Sequence, residues 1–288
     1  MSLLDVIILA IVQGLAELLP ISSSAHVIVA EKLMGMDPAA PETTLLLVML
    51  HTGTMFAVIV YFWRRWHRAF FQSLLHFKSF LVALALAVVL TGVVGGVVTE
   101  AIERILLRHE PHAWVEQLFD RLDLIACALA AVGVLILISG WLAERRPEPP
   151  LPASEMTAGQ AMWMGAVQGL SLPFRGFSRS GATISTGLLT GVPKVRAEDF
   201  SFALVVILTP AAIAREGWRL LESQRGHLAA ELMSSVTPSL LGAVFAFLAG
   251  LLALKWLSRW LEEGRWYWFG VYCLLFAVVV ALLYHSGY

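Results

Sequence analysis

Long uncharged apolar runs alternate along the chain with short clusters of charged residues. Five runs have at least 20 residues without Asp, Glu, Lys or Arg, and they cover 43–63, 79–99, 124–143, 232–254 and 266–288. A helix needs about 20 apolar residues to cross the hydrocarbon core of a bilayer. A sixth run, 200–214, is shorter, but tilt or flanking side chains complete a span there. The pattern predicts an all-α polytopic membrane protein with six transmembrane helices.

Two further apolar regions, 3–34 and 156–193, are each interrupted by a proline. The first breaks at Pro20 and the second at Pro173, and each then resumes with hydroxyl-rich sequence. Broken helices at membrane depth occur only where protein buries them or where they line a wet cavity. Both regions are therefore predicted to be re-entrant helical hairpins. The alternative for 156–174, which is uncharged, is an ordinary transmembrane helix.

The two broken regions also resemble each other. Gln13-Gly14-Leu15 recurs as Gln168-Gly169-Leu170, and each triplet precedes a proline and a serine-rich turn. Three spans follow each region, and an odd number of crossings turns the second half upside down relative to the first. The predicted fold is an inverted repeat, in which each half has one re-entrant hairpin and three transmembrane helices.

The repeat sets the predicted boundaries along the chain. The first repeat covers 1–143, and a charged, proline-rich linker covers 144–154. The second repeat covers 155–288, and its spans are predicted at 198–216, 232–254 and 266–286.

Composition agrees with a membrane location. The chain of 288 residues is 58% hydrophobic and 14% charged, whereas a soluble domain is roughly a quarter charged. Its mean hydropathy of +0.77 excludes a typical cytosolic enzyme. A net charge of −1 provides no basic field for nucleic acid. Cys127 and Cys273 lie in uncharged stretches, so we expect neither a disulfide framework nor a cysteine metal site. No Lys or Arg precedes Lys32, and no cleaved signal peptide is expected.

Basic residues in short loops predict the orientation of the protein in the membrane. Eleven Lys and Arg lie on one predicted side, in loops 63–78, 144–154, 193–197 and 255–265, against seven on the other. The richer side is predicted to be cytoplasmic, which places both termini outside.

Four ionisable side chains lie within the broken regions: Glu17, His26, Arg175 and Arg179. An ionisable group inside a membrane is costly and indicates a functional site by default. If the halves are inverted, one hairpin enters from each face and the two breaks meet near the midplane. These side chains are then predicted to converge.

The first broken region combines a carboxylate with hydroxyls and an imidazole. Gln13 and Glu17 are four residues apart, so they share a helix face and can reach one ligand or metal ion. Alternatively, Glu17 forms an ion pair with a nearby arginine and Gln13 bonds to the backbone. Three serines at 22–24 offer an N-cap for a second short helix. On that helix His26 and Ser23 share a face, which suits a base and a nucleophile.

The second broken region has the residues of an anion site. Ser178, Ser180 and Gly181 stand at a predicted helix start, where backbone N–H groups and the helix dipole favour negative charge. Arg179 adds a charged fork suited to phosphate, and Thr183 adds a hydroxyl. Together the two regions predict a site for phosphoryl transfer. His51 stands alone in a span, where a packed, hydrogen-bonded role is favoured.

Two motifs carry a family resemblance. They are Gln13-x-x-x-Glu17 with 19–26 (LPISSSAH), and 176–183 (GFSRSGAT). The chain resembles the undecaprenyl-diphosphate phosphatase (bacitracin-resistance) family over essentially its whole length. The resemblance implies removal of the terminal phosphate of undecaprenyl diphosphate, which regenerates the carrier lipid for cell-wall synthesis. It also implies a divalent cation, Mg²⁺ or Ca²⁺, and a bacterial inner-membrane location with the site facing the periplasm.

The resemblance assigns roles to individual residues. The expected catalytic residues are Glu17, Ser23, His26 and Arg179, and Glu17 is also the expected metal ligand. The expected substrate-binding residues are Gln13, Ser22, Ser24, Arg175, Ser178, Ser180 and Thr183. Ser23 is the favoured nucleophile and His26 its base or the leaving-group acid, while attack by water or by His26 itself stays open. Arg175 stands where the family loop usually has proline, so it either contacts phosphate or points to an interface.

The expected partners are the bilayer and a polyprenyl diphosphate lipid. A homodimer is left open, and nucleic acid is not expected. The rival function is a secondary transporter or lipid flippase for an anionic substrate, since transporters also use inverted repeats with broken helices. Glu17 with Ser23 and His26 favours a hydrolase, because a transporter does not need that combination.

Overall fold

A computed structural model of the chain describes residues 1–37, 40–71, 73–106, 118, 121–146, 156–223 and 229–288. These residues form ten α-helices and no strand. The helices are α1 (Leu3–Leu18), α2 (Ser23–Met34), α3 (Pro41–Phe70), α4 (Leu74–Leu106), α5 (Leu122–Arg145), α6 (Ala158–Ser171), α7 (Arg179–Leu189), α8 (Lys194–Ser223), α9 (Ala229–Glu262) and α10 (Tyr267–His285).

Six helices in the described part of the chain are long and apolar enough to cross a membrane: α3, α4, α5, α8, α9 and α10. Their outer surfaces carry large apolar side chains. On α4, for example, Val82, Val89, Val93 and Val97 are exposed and repeat at helical spacing. Such a surface is stable in lipid rather than in water. The six predicted spans and the all-α polytopic class are confirmed.

The other four helices are short and form two hairpins. They have 11 to 16 residues each, which gives lengths of about 16 to 24 Å. The hydrocarbon core is about 30 Å thick, so none of the four is long enough to cross it upright. α1 joins α2 at the first predicted break, and α6 joins α7 at the second.

Both hairpins begin with the same local device, a capping box. At α1 the Asp5 N–H donates to Ser2 Oγ over 3.2 Å, and the Ser2 N–H donates to Asp5 Oδ2 over 2.8 Å. At α6 the corresponding pair is Thr157 and Gln160, with 3.2 and 2.9 Å. Each box satisfies two N–H groups that a helix start leaves without intrahelical partners. Each lies 11 residues before the repeated glutamine.

A proline follows the first helix of each hairpin, and a proline lacks the N–H that would continue the helical hydrogen bonds. α1 stops two residues before Pro20, and α6 stops two residues before Pro173. The second helices start differently. Ser178 caps α7 by accepting from the Gly181 N–H over 3.2 Å. Ser22 precedes α2 with a left-handed φ of 70° and makes no side-chain cap, so the predicted serine cap of α2 is wrong.

Each hairpin packs against a helix from the other half of the chain. α1 lies on α9, and α6 lies on α4. A Cβ on Gly14 would lie 2.7 Å from the Ala246 carbonyl oxygen, and one on Gly169 would lie 2.6 Å from that of Thr91. Only glycine permits such close helix contact. The pairs α3 with α8 and α5 with α10 also join the two halves.

A buried ionic cluster fixes α3 to α8 away from the breaks. Arg65 Nη2 lies 2.9 Å from both Glu198 Oε2 and Asp199 Oδ1, whose side chains are almost fully buried. The Trp66 indole N–H donates to the Asp199 carbonyl over 3.1 Å. The cluster lies at the start of α8. Of the predicted linker 144–154, only 144–146 is described, as the end of α5 and its C-cap, and the rest lies outside the described residues.

Candidate active site

The two breaks meet through one ion pair. Arg179 Nη2, at the first residue of α7, donates to Glu17 Oε1 at the end of α1 over 2.6 Å. The two residues are 162 positions apart in the chain. The Glu17 side chain is 9% exposed and that of Arg179 is 25% exposed. Of the four side chains predicted to converge, this ion pair joins Glu17 and Arg179, so the arginine that pairs with Glu17 belongs to the second motif.

The second carboxylate oxygen of Glu17 collects three further side chains. Ser23 Oγ donates to Oε2 over 2.5 Å, and Gln13 Nε2 donates to it over 3.2 Å. His51 Nε2 lies 3.9 Å from the same atom. The predicted common face of Gln13 and Glu17 is thus confirmed, and Gln13 bonds to the carboxylate rather than to the backbone. Ser23 has a carboxylate oxygen placed to accept its proton.

His26 has partners at both ring nitrogens. Nδ1 lies 2.7 Å from the Ser22 carbonyl oxygen, and a carbonyl only accepts, so Nδ1 carries the proton. Nε2 lies 2.7 Å from the Tyr272 hydroxyl. The imidazole stacks on Phe276 with ring centroids 4.0 Å apart. The structure does not form the expected His26–Ser23 pair, because Ser22 and Tyr272 occupy the two nitrogens.

The hydroxyls of the second motif are buried behind Arg179 and bond within the protein. Ser180 Oγ donates to the Leu19 carbonyl over 3.3 Å. Thr183 Oγ1 donates to the Arg179 carbonyl over 3.0 Å and lies 2.5 Å from Ser201 Oγ. Together with the Ser178 cap, these bonds fix the start of α7. These hydrogen bonds therefore fix the backbone position of Arg179.

The loop between α6 and α7 contacts the first break directly. The Gly176 N–H donates to Ser24 Oγ over 3.3 Å, and Ser24 Oγ lies 3.2 Å from Ser22 Oγ. Gly176 has φ of 98°, and a Cβ there would lie 2.5 Å from the Ile125 carbonyl oxygen, so the loop requires glycine. Arg175 is exposed beside this contact.

Two side chains near these groups were not in the predicted site. His51 makes the expected backbone bond, from Nδ1 to the Leu47 carbonyl over 2.8 Å, but Nε2 also faces Glu17. Tyr272 comes from the apolar run of α10 and reaches His26 across 246 positions of sequence. Nothing in the local pattern around Tyr272 distinguishes it from a membrane-facing aromatic residue. Its contact depends on how α10 packs against α2.

The side chains around Glu17 show whether this part of the protein could hold the expected divalent cation. Within the described ranges, no group of three His, Cys, Asp or Glu side chains could hold a metal ion. One carboxylate, from Glu17, lies beside the Gln13 amide and the Ser23 hydroxyl. Mg²⁺ typically binds one or two carboxylates together with substrate phosphates. The residues therefore fit a cation that binds with a diphosphate, and they do not form a complete protein cage.

Comparison with known families agrees with this arrangement of motifs. The family model described as "Bacitracin resistance protein BacA" matches residues 6–279. The chain belongs to the BacA family. The match includes both broken regions and all six membrane helices, except for the first three residues of α1 and the last six of α10.

Named BacA-like relatives align over nearly the full chain. Undecaprenyl-diphosphatase 2 of Acinetobacter baylyi is 54% identical, and the alignment covers 98% of each protein. Undecaprenyl-diphosphatase of Desulfosudis oleivorans is 34% identical over 93% of this chain and 94% of its own length. The protein of the same name from Rhodopirellula baltica is 32% identical over 98% of both.

Proposed function

We propose that this chain is an integral membrane phosphatase that hydrolyses undecaprenyl diphosphate to undecaprenyl phosphate and phosphate. The product is the carrier lipid for cell-wall synthesis, so the reaction recycles it. The full-length similarity to undecaprenyl-diphosphatases supports this activity. The main observation behind the proposed activity is that Glu17 contacts both Arg179 and Ser23. This brings together a carboxylate, a guanidinium that can bind phosphate and a hydroxyl that can act as nucleophile.

Arg179 and the start of α7 bind the diphosphate. A guanidinium engages two phosphate oxygens at once, and the N-terminus of a helix favours an anion. Glu17 holds the guanidinium when substrate is absent, so the diphosphate takes over this contact as it binds. Arg175 is exposed next to Gly176, whose N–H donates to Ser24 Oγ, and Ser24 Oγ contacts Ser22 Oγ.

Ser23 is the nucleophile. Its Oγ forms a bond to the terminal phosphorus, and the bond from that phosphorus to the bridging oxygen breaks, which releases undecaprenyl phosphate. The hydroxyl proton passes to Glu17 Oε2, which already accepts it as a hydrogen bond over 2.5 Å. Water then attacks the phosphorus on Ser23, and the bond from phosphorus to Ser23 Oγ breaks. Glu17 returns its proton to that Oγ, and the two protons of the water leave with the released phosphate. His26 accepts or donates a proton at Nε2, because Nδ1 already donates its proton to the Ser22 carbonyl.

A divalent cation, Mg²⁺ or Ca²⁺, is part of this proposal. Glu17 would hold it together with the phosphates of the substrate. When bound, it neutralises charge on the diphosphate and on the developing transition state. The protein groups still provide the nucleophile and the fork that orients the phosphoryl group.

The architecture is proposed to be an inverted repeat with two re-entrant hairpins. Three features support it: equivalent capping boxes, equivalent glycines at Gly14 and Gly169, and reciprocal packing of each hairpin on the other half. Three membrane helices separate the hairpins, so one enters from each face. The site is further proposed to open to the periplasm of the bacterial inner membrane, as the resemblance to the undecaprenyl-diphosphate phosphatase family implies.

The orientation is tested by labelling single cysteines in intact cells after Cys127 and Cys273 are replaced by serine. Cysteines placed near Arg104 and Arg219 should react with an impermeant reagent, while those near Arg65 and Arg145 should stay protected. The side that contains Arg65 and Arg145 has the excess of basic loop residues and is therefore predicted to be cytoplasmic. The opposite pattern of labelling would invert the proposed orientation.

The activity is tested by measuring phosphate release from a C55 diphosphate by the purified protein in detergent. We expect release with Mg²⁺ or Ca²⁺ and strong loss of release after a chelator is added. If release persists with chelator, the cation proposal fails and the phosphatase proposal stands. If the folded protein releases no phosphate under any condition, the transporter function is favoured instead.

A further inference from the structure

Two adjacent residues of α10, one buried and one partly exposed, contact the first hairpin at and after its break at Pro20. Cys273 is buried, and its Sγ donates to the Pro20 carbonyl over 3.4 Å. Tyr272 is 42% exposed on the outer side, and its hydroxyl lies 2.7 Å from His26 Nε2. The buried contact fixes the height of α10 relative to the break. It therefore also fixes where the Tyr272 hydroxyl can lie.

Three contacts restrain the imidazole of His26 completely. The Ser22 carbonyl accepts from Nδ1 over 2.7 Å. Phe276 stacks on one face of the ring, with an angle of 11° between the planes. Tyr272 then faces the one remaining nitrogen. With Nδ1 protonated, Nε2 is the acceptor and the phenol is the donor.

We propose that Tyr272 is a positioning residue for proton transfer by His26. Its O–H donates to Nε2, which favours the neutral imidazole and holds the Nε2 lone pair on the half-exposed Tyr272 hydroxyl. A group that exchanges a proton with His26 must do so at Nε2. It either uses the Tyr272 hydroxyl as a relay or displaces that hydroxyl from Nε2. This role rests on the proposed phosphatase function, and the contact itself can be tested separately.

The first test is the kinetics of Y272F, which removes the hydroxyl and keeps the ring. We expect kcat for phosphate release to fall about tenfold, while KM changes less than about twofold, because the lost bond acts on His26 and not on substrate binding. Tyr284→Phe is the matched control: the residue lies on the same helix, is 45% exposed and should retain wild-type kinetics. Unchanged kcat in Y272F, or an equal fall in both variants, would overturn the proposal.

The second test distinguishes positioning from a general structural effect. In a double-mutant cycle, Y272F should change the residual rate of H26Q by less than about twofold, because residues that act as one unit are not additive. An additive tenfold loss in the double variant would show that Tyr272 does not act through His26. That outcome would overturn the proposal.

The third test does not depend on turnover. In protein labelled with ¹⁵N-histidine, the His26 signals are identified by their loss in H26Q. The wild-type protein should show a protonated Nδ1 and a hydrogen-bonded Nε2, and Y272F should shift the Nε2 signal while Y284F does not. An unshifted Nε2 signal would overturn the contact. A wild-type protein that shows the contact but releases no phosphate would refute the proposed function instead.

Discussion

Replacing Glu17 with glutamine should lower the rate of phosphate release by about a hundredfold or more. The amide keeps the size of the side chain but loses the charge that pairs with Arg179 and the oxygen that takes the Ser23 proton. It also removes the single carboxylate available to the cation in this cluster. The measurement is the initial rate of the purified variant in detergent, with circular dichroism to confirm that it is folded.

Glu263→Gln provides the matched control for this experiment. Glu263 also accepts from an arginine, with Arg259 Nε at 2.8 Å, but the pair is exposed at the C-terminal end of α9. Exposed ion pairs contribute little to stability, so activity and stability should stay near wild type. Glu17→Gln with a wild-type rate would contradict the assigned chemistry and favour a transporter.

Replacing Arg179 with lysine should reduce kcat by a larger factor than it raises KM. Lysine keeps the positive charge that attracts a diphosphate, but it lacks the planar fork that aligns two phosphate oxygens. Alignment of the transferred phosphoryl group matters most in the transition state, so turnover should fall further than binding weakens. The measurement is kcat and KM with a soluble-chain prenyl diphosphate.

Arg175→Lys tests whether the effect is specific to Arg179. Arg175 is exposed in the loop before α7 and lies outside the matched motif, so its variant should be milder. If Arg179→Lys keeps wild-type kcat and KM while Arg175→Lys loses most of its activity, phosphate binding belongs to Arg175. It would also mean that the alignment of the second motif is shifted.

The sequence predicts those parts of the site that depend on local rules. Apolar runs determine the spans, prolines determine the breaks, and a spacing of four brings Gln13 and Glu17 to one face. The inverted topology also predicts that Arg179 lies close to Glu17, and the structure places them in contact. Each of these inferences needs only the helical period and the parity of the membrane crossings.

The missed features depend on tertiary packing. Neither the left-handed φ of Ser22 nor the reach of Tyr272 to His26 follows from a local pattern. The start of α8 shows another limit, because the charge-free run begins only at residue 200 whereas the helix begins at Lys194. Arg65 neutralises two acidic residues there, which lets buried carboxylates stand inside a membrane helix.

The reciprocal packing of the hairpins has a consequence for biosynthesis. Gly14 of α1 contacts Ala246 of α9, more than 200 residues later in the chain. At about 5 to 20 residues per second, a ribosome needs roughly ten to forty seconds to cover that distance. Throughout that interval α1 lacks its partner helix, and Glu17 lacks Arg179 until α7 is made. The first hairpin therefore completes its packing only after the last helices of the chain have been made.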